Sequence, residues 1–302
     1  MCIRDSSIAI ASCVAFGLST ALWGESLIFP ISKVEYEVLT ILNVSFIAGP
    51  LFAIVAKDFM NSLIFFNKTS AKFFSNVFLK YAVAIIFLSA IGHFVPEVMG
   101  LGTSTVLSAV SGEFVLYFAI LILIGKIIAT SISLGFGFFG GVFSPALLVG
   151  ASAGAVVAEL FVVVGFLEKF EPALVITGMA AVTGAVIGAP ICMVVIVMEL
   201  TSSYIYALSS LVGLTLSVSL SHILFGASYF DRQLGTRGID ISTGRSGMFL
   251  MEKRASDYAS FDYIELYCHD SVEDASRRMS EQNKNEVIVL DSDGQFYGKI
   301  EL

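Results

Sequence analysis

Apolar residues run almost without interruption over positions 7–29, 38–63, 78–96, 114–134, 145–166, 173–199 and 205–225. Several of these runs reach the ~20 residues that a helix needs to cross a hydrocarbon core. The pattern predicts membrane-spanning helices, not the half-polar faces of a soluble domain. The run 173–199 contains GAVIGAP at 184–190 and is expected to divide into two shorter helices around Gly188 and Pro190. A second break, GFGFFGGVFSPALLVG, spans 135–150 and leads straight into an apolar helix. Unwound backbone at membrane depth persists only where it is buried in protein or lines a wet cavity. Pro145 suits the first turn of a helix, so a helix N-terminus is expected to begin inside the bilayer. Such an end presents unpaired N–H groups and a partial positive charge, which favour an anion. Short apolar pieces interrupted by Gly and Pro point to a transporter or channel core.

The rhythm changes near residue 227. GASYFDRQLGTRG (226–238) reads as a last short helix ending at Gly235 or Gly238, and GIDISTGRSG (238–247) as a connection. SVEDASRRMSEQN (271–283) reads as an amphipathic helix with Val272, Ala275 and Met279 on one face. NEVIVLDSDGQFYGKIEL (285–302) reads as strand, tight turn, strand. Helix and then hairpin is half of a small α/β module, and the sequence stops in the second strand.

Composition sharpens this reading. The chain is 56% hydrophobic and 14% charged, which places it among polytopic membrane proteins. The net charge of −8 owes much to acids after residue 250 and implies no partner; nothing points to nucleic acid. Lys68, Lys72 and Lys80 place 64–80 inside, 97–112 has no Lys or Arg and is placed outside, and the basic tail after 226 returns inside. Cys2, Cys13, Cys192 and Cys268 lack metal or redox spacing and are expected as buried small hydrophobes. His93, His222 and His269 are dispersed, so no metal site can be drawn. MCIRDS (1–6) is poorly matched to the apolar run after it and is expected as a non-native start; no secretory signal is evident.

Four separated segments coincide with one family. GGVFSP (140–145) resembles the GxFxP anion-binding motif of the CLC chloride channels and chloride/proton exchangers. GAPICMVVIVMELTSSY (188–204) resembles the family's helix leading to ELT, and SHILFGASYFDRQLGTRG (221–238) its final membrane helix. The tail 264–302 resembles the start of a CBS domain. The order and spacing of these segments make the resemblance specific, and it covers nearly the whole chain. It implies an all-α polytopic membrane fold, the second half of an inverted repeat with short broken helices, and after it a partial α/β CBS domain. The implied domains are 7–238 for the membrane part without its N-terminal half, 239–260 for a linker, and 261–302 for the partial CBS domain. The family's GSGIP-type and GxEGP-type motifs do not occur here, and its inner proton glutamate belongs upstream of residue 1, so the chain resembles a C-terminal fragment.

The resemblance implies transmembrane chloride or similar anion transport by a channel or chloride/proton antiporter, and not an enzyme. It implies a homodimer in the plasma (inner) membrane, with interface helices matching 7–29, 189–202 and 206–225 and the CBS part in the cytoplasm. Ile191, Val195, Leu211 and Leu214 fit such an interface and equally fit lipid. No cofactor is implied, apart from an adenine nucleotide at a complete CBS pair.

The anion chemistry comes from the backbone. An ion must shed water to cross, yet must leave again, so main-chain N–H groups suit it better than a full cationic partner. Gly140 and Gly141 let the chain turn sharply and let an ion approach. Pro145 has no donor, which leaves the amides of Val142 and Phe143, and the resemblance assigns anion contacts to these positions. The predicted anion-binding set is therefore Gly141, Val142, Phe143 and Pro145, with Phe230 where the family often carries a tyrosine hydroxyl. Phe230 has no hydroxyl to donate. Either that contact is lost and Phe230 is an apolar inner gate, the favoured reading, or a register shift brings Tyr229 into its place. Loss of the phenol is expected to loosen the site and weaken coupling of anion to proton movement.

Other polar residues carry blander expectations. Glu199 reads as a carboxylate at a helix end, hydrogen-bonded to loop backbone, in preference to a proton relay. Lys126 reads as a snorkelling or structurally paired lysine, and Lys57 with Asp58 as a local pair. The small residues of GASAGA (150–155) read as a close helix contact. Two other functions compete. A CBS-linked divalent-cation channel predicts clustered acids within the apolar runs, which are nearly absent. A non-transporting interaction or regulatory fragment predicts association without flux.

Overall fold

A computed structural model of the chain describes residues 2–24, 37–74, 76–165, 170–235, 254, 256, 263–284 and 286–301. They fall into two units, Met1–Arg237 and Gly238–Leu302. In the first, α1 (Cys2–Trp23), α2 (Val38–Phe73) and α3 (Val77–Phe94) lead to a 3-10 turn at Pro96–Val98. Then come α4 (Thr103–Val110), α5 (Leu116–Gly135), α6 (Phe143–Val163), α7 (Glu171–Ile187), α8 (Pro190–Thr201), α9 (Tyr204–Phe225) and α10 (Tyr229–Gly235). Among the described residues, five segments are long and apolar enough to cross a membrane: α2, α3, α5, α6 and the α9–α10 segment.

The breaks obey local chemistry. The run 173–199 divides at Gly188, whose φ of 79° ends α7 in the left-handed region, and Pro190 opens α8. Thr201 Oγ1 donates to the Val197 carbonyl at 2.7 Å and accepts from Ser203 N–H at 3.3 Å, which ends α8. Asn76 caps α3 by accepting from Phe78 N–H at 2.9 Å. The helix α2 runs ten residues past the end of its apolar run, to Phe73. Residues 2–6 belong to α1, and 25–36 lie outside the described residues.

The core is built around α7. Every residue from Ala173 to Val186 is buried, as expected of a helix apolar on all sides. It packs on α6, α2 and α9. Against α6 the approach is backbone to backbone. A Cβ on Gly150 would meet the Gly178 carbonyl and lie 2.7 Å from Met179 Cα; one on Gly154 would lie 2.5 Å from Val175 Cα. Against α2 and α9, a chain of hydroxyls links the helices: Ser45 Oγ lies 3.3 Å from Thr177 Oγ1, which lies 3.5 Å from Ser209 Oγ. Small residues and hydroxyls are the contacts that bring helices together where lipid offers no hydrophobic drive.

Several expectations are corrected. Cys13, Cys192 and Cys268 are exposed on the chain, not buried. Leu214 is 1% exposed and belongs to the core, whereas Ile191, Val195 and Leu211 face outward. Glu199 is exposed and makes no hydrogen bond among the described residues, so it does not tie down the loop after α8. Lys57 and Asp58 do pair, at 4.0 Å.

In the second unit, β1 (Ile264–Tyr267) runs parallel to β2 (Glu286–Leu290), and β2 pairs antiparallel with β3 (Phe296–Glu301). The helix α11 (Val272–Gln282) buries Ala275 and Met279 against Ile264, Leu266 and Val287. Ser271 caps it by accepting from Asp274 N–H at 3.1 Å. Val272, placed with the buried face by its spacing, is 74% exposed, and only Ala275 and Met279 of that face are buried. The linker expected over 239–260 lies, except for Arg254 and Ser256, outside the described residues.

Candidate functional site

The break before α6 is anchored at both ends. On its N-terminal side, Ser70 Oγ of α2 donates to the last carbonyl of α5, at Gly135. The chain then turns through Gly137, with φ of 92°, and runs without helix from Phe138 to Gly141. Helix α6 starts at Phe143. The Val142 carbonyl accepts the first bond of the helix, from Ala146 N–H at 3.0 Å. Pro145 is the third residue and has no N–H. Among the described residues, no acceptor meets the N–H groups of Val142, Phe143 or Ser144. A helix mouth with three free donors therefore opens next to a loop whose glycines leave room: a Cβ on Gly141 would meet nothing within 4 Å.

A pocket of about 460 Å3 lies against this mouth, lined by Gly140, Gly141, Phe143, Ser144 and Pro145 on one side. Lys126, Thr130 and Ser133 of α5 form another wall, and Met99–Leu101 a third. Thr130 is 7% exposed, and its hydroxyl has no hydrogen-bond partner among the described residues.

The segment 97–102 is held by side chains that reach its carbonyls. Thr105 Oγ1 donates to Glu97 O at 3.1 Å. Lys126 Nζ donates to Val98 O at 2.7 Å and to Gly100 O at 2.9 Å. Ser144 Oγ, from the first turn of α6, donates to Leu101 O at 2.8 Å. Gly102, with φ of 75°, then packs so closely that a Cβ would lie 2.6 Å from Leu148 Cδ2 of α6. Lys126 is 3% exposed and has no carboxylate partner among the described residues. Its charge is stabilised by two carbonyl dipoles instead, and this is the structural pairing expected of it. The arrangement puts a buried ammonium, a free hydroxyl and a helix N-terminus around one pocket, all of which favour negative charge.

The predicted anion residues are not all brought together. Gly141, Phe143 and Pro145 line the pocket, while the Val142 side chain is buried and only its backbone belongs to the helix mouth. Phe230 and Tyr229 lie elsewhere. Phe230 is 40% exposed, its ring edge-on to Tyr229 at 5.5 Å. Tyr229 is 8% exposed and lines a separate pocket with Leu63, Asn67 and Lys68 of α2. Sequence reasoning missed the carbonyls of Val98, Gly100 and Leu101, since a backbone acceptor leaves no signature in residue type. A buried lysine and a first-turn serine were the only traces of the segment they hold.

The profile of the family described as voltage gated chloride channel matches residues 5–222. An uncharacterized protein of Methanocaldococcus jannaschii is 29% identical over 187 residues, covering 60% of this chain and 45% of that protein. The H(+)/Cl(-) exchange transporter ClcA of Vibrio parahaemolyticus is 22% identical over 237 residues, covering 77% of this chain and 51% of the transporter. The crystal structure of a slow cyanobacterial Cl-/H+ antiporter superposes with a TM-score of 0.64 at 23% identity, covering 71% of this chain and 51% of that one. The chain thus spans about half the length of the curated relatives it matches.

Proposed function

Because the chain belongs to the voltage gated chloride channel family, we propose that the protein carries chloride or a similar anion across a membrane, holding it by backbone N–H groups at the start of α6. The observation that carries this reading is the helix mouth at Val142–Ser144, with three donors that no acceptor meets among the described residues. Unpaired N–H groups at a helix start, together with the helix dipole, favour an acceptor of negative charge, and a partly dehydrated anion is one. Such bonds are strong enough to replace part of a hydration shell and weak enough to release the ion. The nearby Lys126 ammonium adds a positive field while its donors are largely engaged with Val98 and Gly100. Coupling of anion to proton movement is proposed on likeness to the Vibrio exchanger.

The same reading takes the protein to act as a homodimer, with the outward apolar residues of α8 and α9, such as Ile191 and Leu211, as part of the contact. It places the unit after Gly238 in the cytoplasm as part of a CBS domain, in accord with the basic residues that precede it.

Phe230 is assigned as an apolar inner gate, being half exposed and without a polar group. In the full-length protein, Phe230→Tyr gives the gate a phenolic donor. A hydrogen bond to a charged group is worth about 1.5 kcal/mol at the low end, so chloride binding is expected to tighten roughly tenfold. Titration calorimetry with chloride reads this. An unchanged affinity removes Phe230 from the anion's path, and no halide binding by the wild-type protein removes the transport reading.

A further inference from the structure

A second pocket, of about 220 Å3, lies between α2 and α10 and plays no part in the helix mouth of α6. Its floor is apolar, made by Leu63, Ile64 and the ring of Tyr229; its rim is polar, made by Asn67, Lys68, Arg232 and Gln233. The change from floor to rim lies just past the end of the apolar run of α2 at residue 63, where Asn67 and Lys68 follow. This is where a spanning helix leaves hydrocarbon for headgroups.

The cations of the rim are short of acidic partners. Neither Lys68 nor Arg232 has a carboxylate within ion-pair distance among the described residues. The nearest acid in sequence, Asp231, is occupied by Ser228: its carboxylate accepts from Ser228 Oγ at 2.7 Å and from Ser228 N–H at 3.3 Å. Arg232 is steadied by its guanidinium carbon lying 4.2 Å from the centroid of the Phe225 ring, which leaves its N–H groups unspent. Tyr229 is more than nine-tenths buried, yet its hydroxyl has no hydrogen-bond partner among the described residues. The oxygen itself is not enclosed, so the hydroxyl is free to donate to a ligand. The pocket therefore holds two cations without carboxylates and an unpaired hydroxyl above an apolar floor.

We propose that this pocket binds the headgroup of an anionic glycerophospholipid, with its phosphate on Lys68, Arg232 and the Tyr229 hydroxyl and its glycerol and upper acyl carbons on Leu63 and Ile64. Phosphate offers acceptors only, which is what this rim lacks. The apolar floor selects a lipid over a free anion, because a free phosphate has nothing to place there. Basic pockets between membrane helices on the cytoplasmic side are suited to anionic headgroups, and the basic residues of 64–80 and of the tail assign this end to that side. The lipid would brace α10 against α2, next to the exposed ring of Phe230.

The test uses the full-length protein, delipidated and reconstituted in nanodiscs of phosphatidylcholine mixed with phosphatidylglycerol, with retained lipid counted by native mass spectrometry. Wild type is expected to retain one phosphatidylglycerol in preference to phosphatidylcholine. Lys68→Gln and Arg232→Gln each weaken retention roughly fivefold, and the pair abolishes the preference. Tyr229→Phe keeps the ring on the pocket floor and still weakens retention, which separates loss of the hydroxyl from loss of fold. Lys57→Gln, a cation on α2 outside the pocket, leaves retention unchanged and controls for net charge. Equal retention of both lipids by wild type, or full retention by the double variant, overturns the proposal. So does displacement of bound phosphatidylglycerol by millimolar inorganic phosphate, which would identify a free-anion site.

Discussion

Gly154→Val is expected to lower the unfolding temperature and the yield of folded protein. The new side chain would project from α6 into the backbone of α7, where a Cβ already meets the Leu174 carbonyl and lies 2.5 Å from Val175 Cα. Backbone atoms cannot rotate aside as a side chain can. The helices must separate, and with them the Gly150–Gly178 contact one turn away, where a Cβ on Gly178 would lie 2.5 Å from the Gly150 carbonyl. Overpacking typically costs 1–3 kcal/mol, and this site belongs at or above the upper limit because no flexible neighbour can yield. Around 3 kcal/mol corresponds to a loss of roughly 5 °C in Tm for a chain of this size. Gly17→Ala is the comparison: a Cβ there meets nothing within 4 Å, and the gain in helix propensity predicts an unchanged or slightly raised Tm. Size-exclusion profile and thermal unfolding in detergent check both. A monodisperse Gly154→Val protein with wild-type Tm would show that α6 and α7 do not pack as described.

Lys126→Met is expected to damage the site from behind. Methionine fills much the same space but leaves the carbonyls of Val98 and Gly100 without the donor that now lies 2.7 and 2.9 Å away. Each buried unpaired acceptor costs about 1–3 kcal/mol. The segment 97–102 should loosen, and with it the Leu101 carbonyl that receives Ser144 Oγ from the first turn of α6. Hydrogen exchange is expected to rise over residues 97–105, and chloride affinity to fall by at least tenfold from loss of both order and field. Lys126→Arg retains the charge and donors, and is expected to recover part of the affinity. Unaltered exchange in Lys126→Met would mean that the segment is held by other contacts.

Much of this architecture is legible in the sequence because membrane helices announce themselves by length. The seven apolar runs map onto α1, α2, α3, α5, α6, the α7–α8 pair and α9, and the break at Gly188 and Pro190 lies where local chemistry requires it. What length cannot reveal is which side of an apolar helix faces protein. Leu211 and Leu214 are the same residue type three positions apart on α9, one 43% exposed and the other in the core, because lipid and protein interior reward the same side chains. The exposed Cys192 and Cys13 have the same cause. Short helix α4 is invisible for a different reason: it spans eight residues, and its Ser and Thr positions dilute the apolar signal. Val272 misleads because periodicity assigns a face along the whole helix, while only Ala275 and Met279 of α11 find a partner in the core.

The site itself is half legible. Glycines, then a proline in the first turn, mark a helix mouth, and the structure begins α6 two residues before Pro145. The segment that steadies the mouth is not legible, since it contributes carbonyls. Nor is the placement of Tyr229 away from the mouth, which depends on tertiary packing, with α10 lying against α7.

The proposed anion transport rests on one physical claim, that the main-chain N–H groups at the start of α6 hold the anion. The measurement closest to it replaces Phe143 with its α-hydroxy analogue in the full-length protein, so that an ester oxygen stands where the N–H was and the side chain is kept. A hydrogen bond to a charged acceptor is worth about 1.5–3 kcal/mol, so chloride affinity by titration calorimetry is predicted to fall at least tenfold. Wild-type affinity in the ester-bearing protein would contradict the claim.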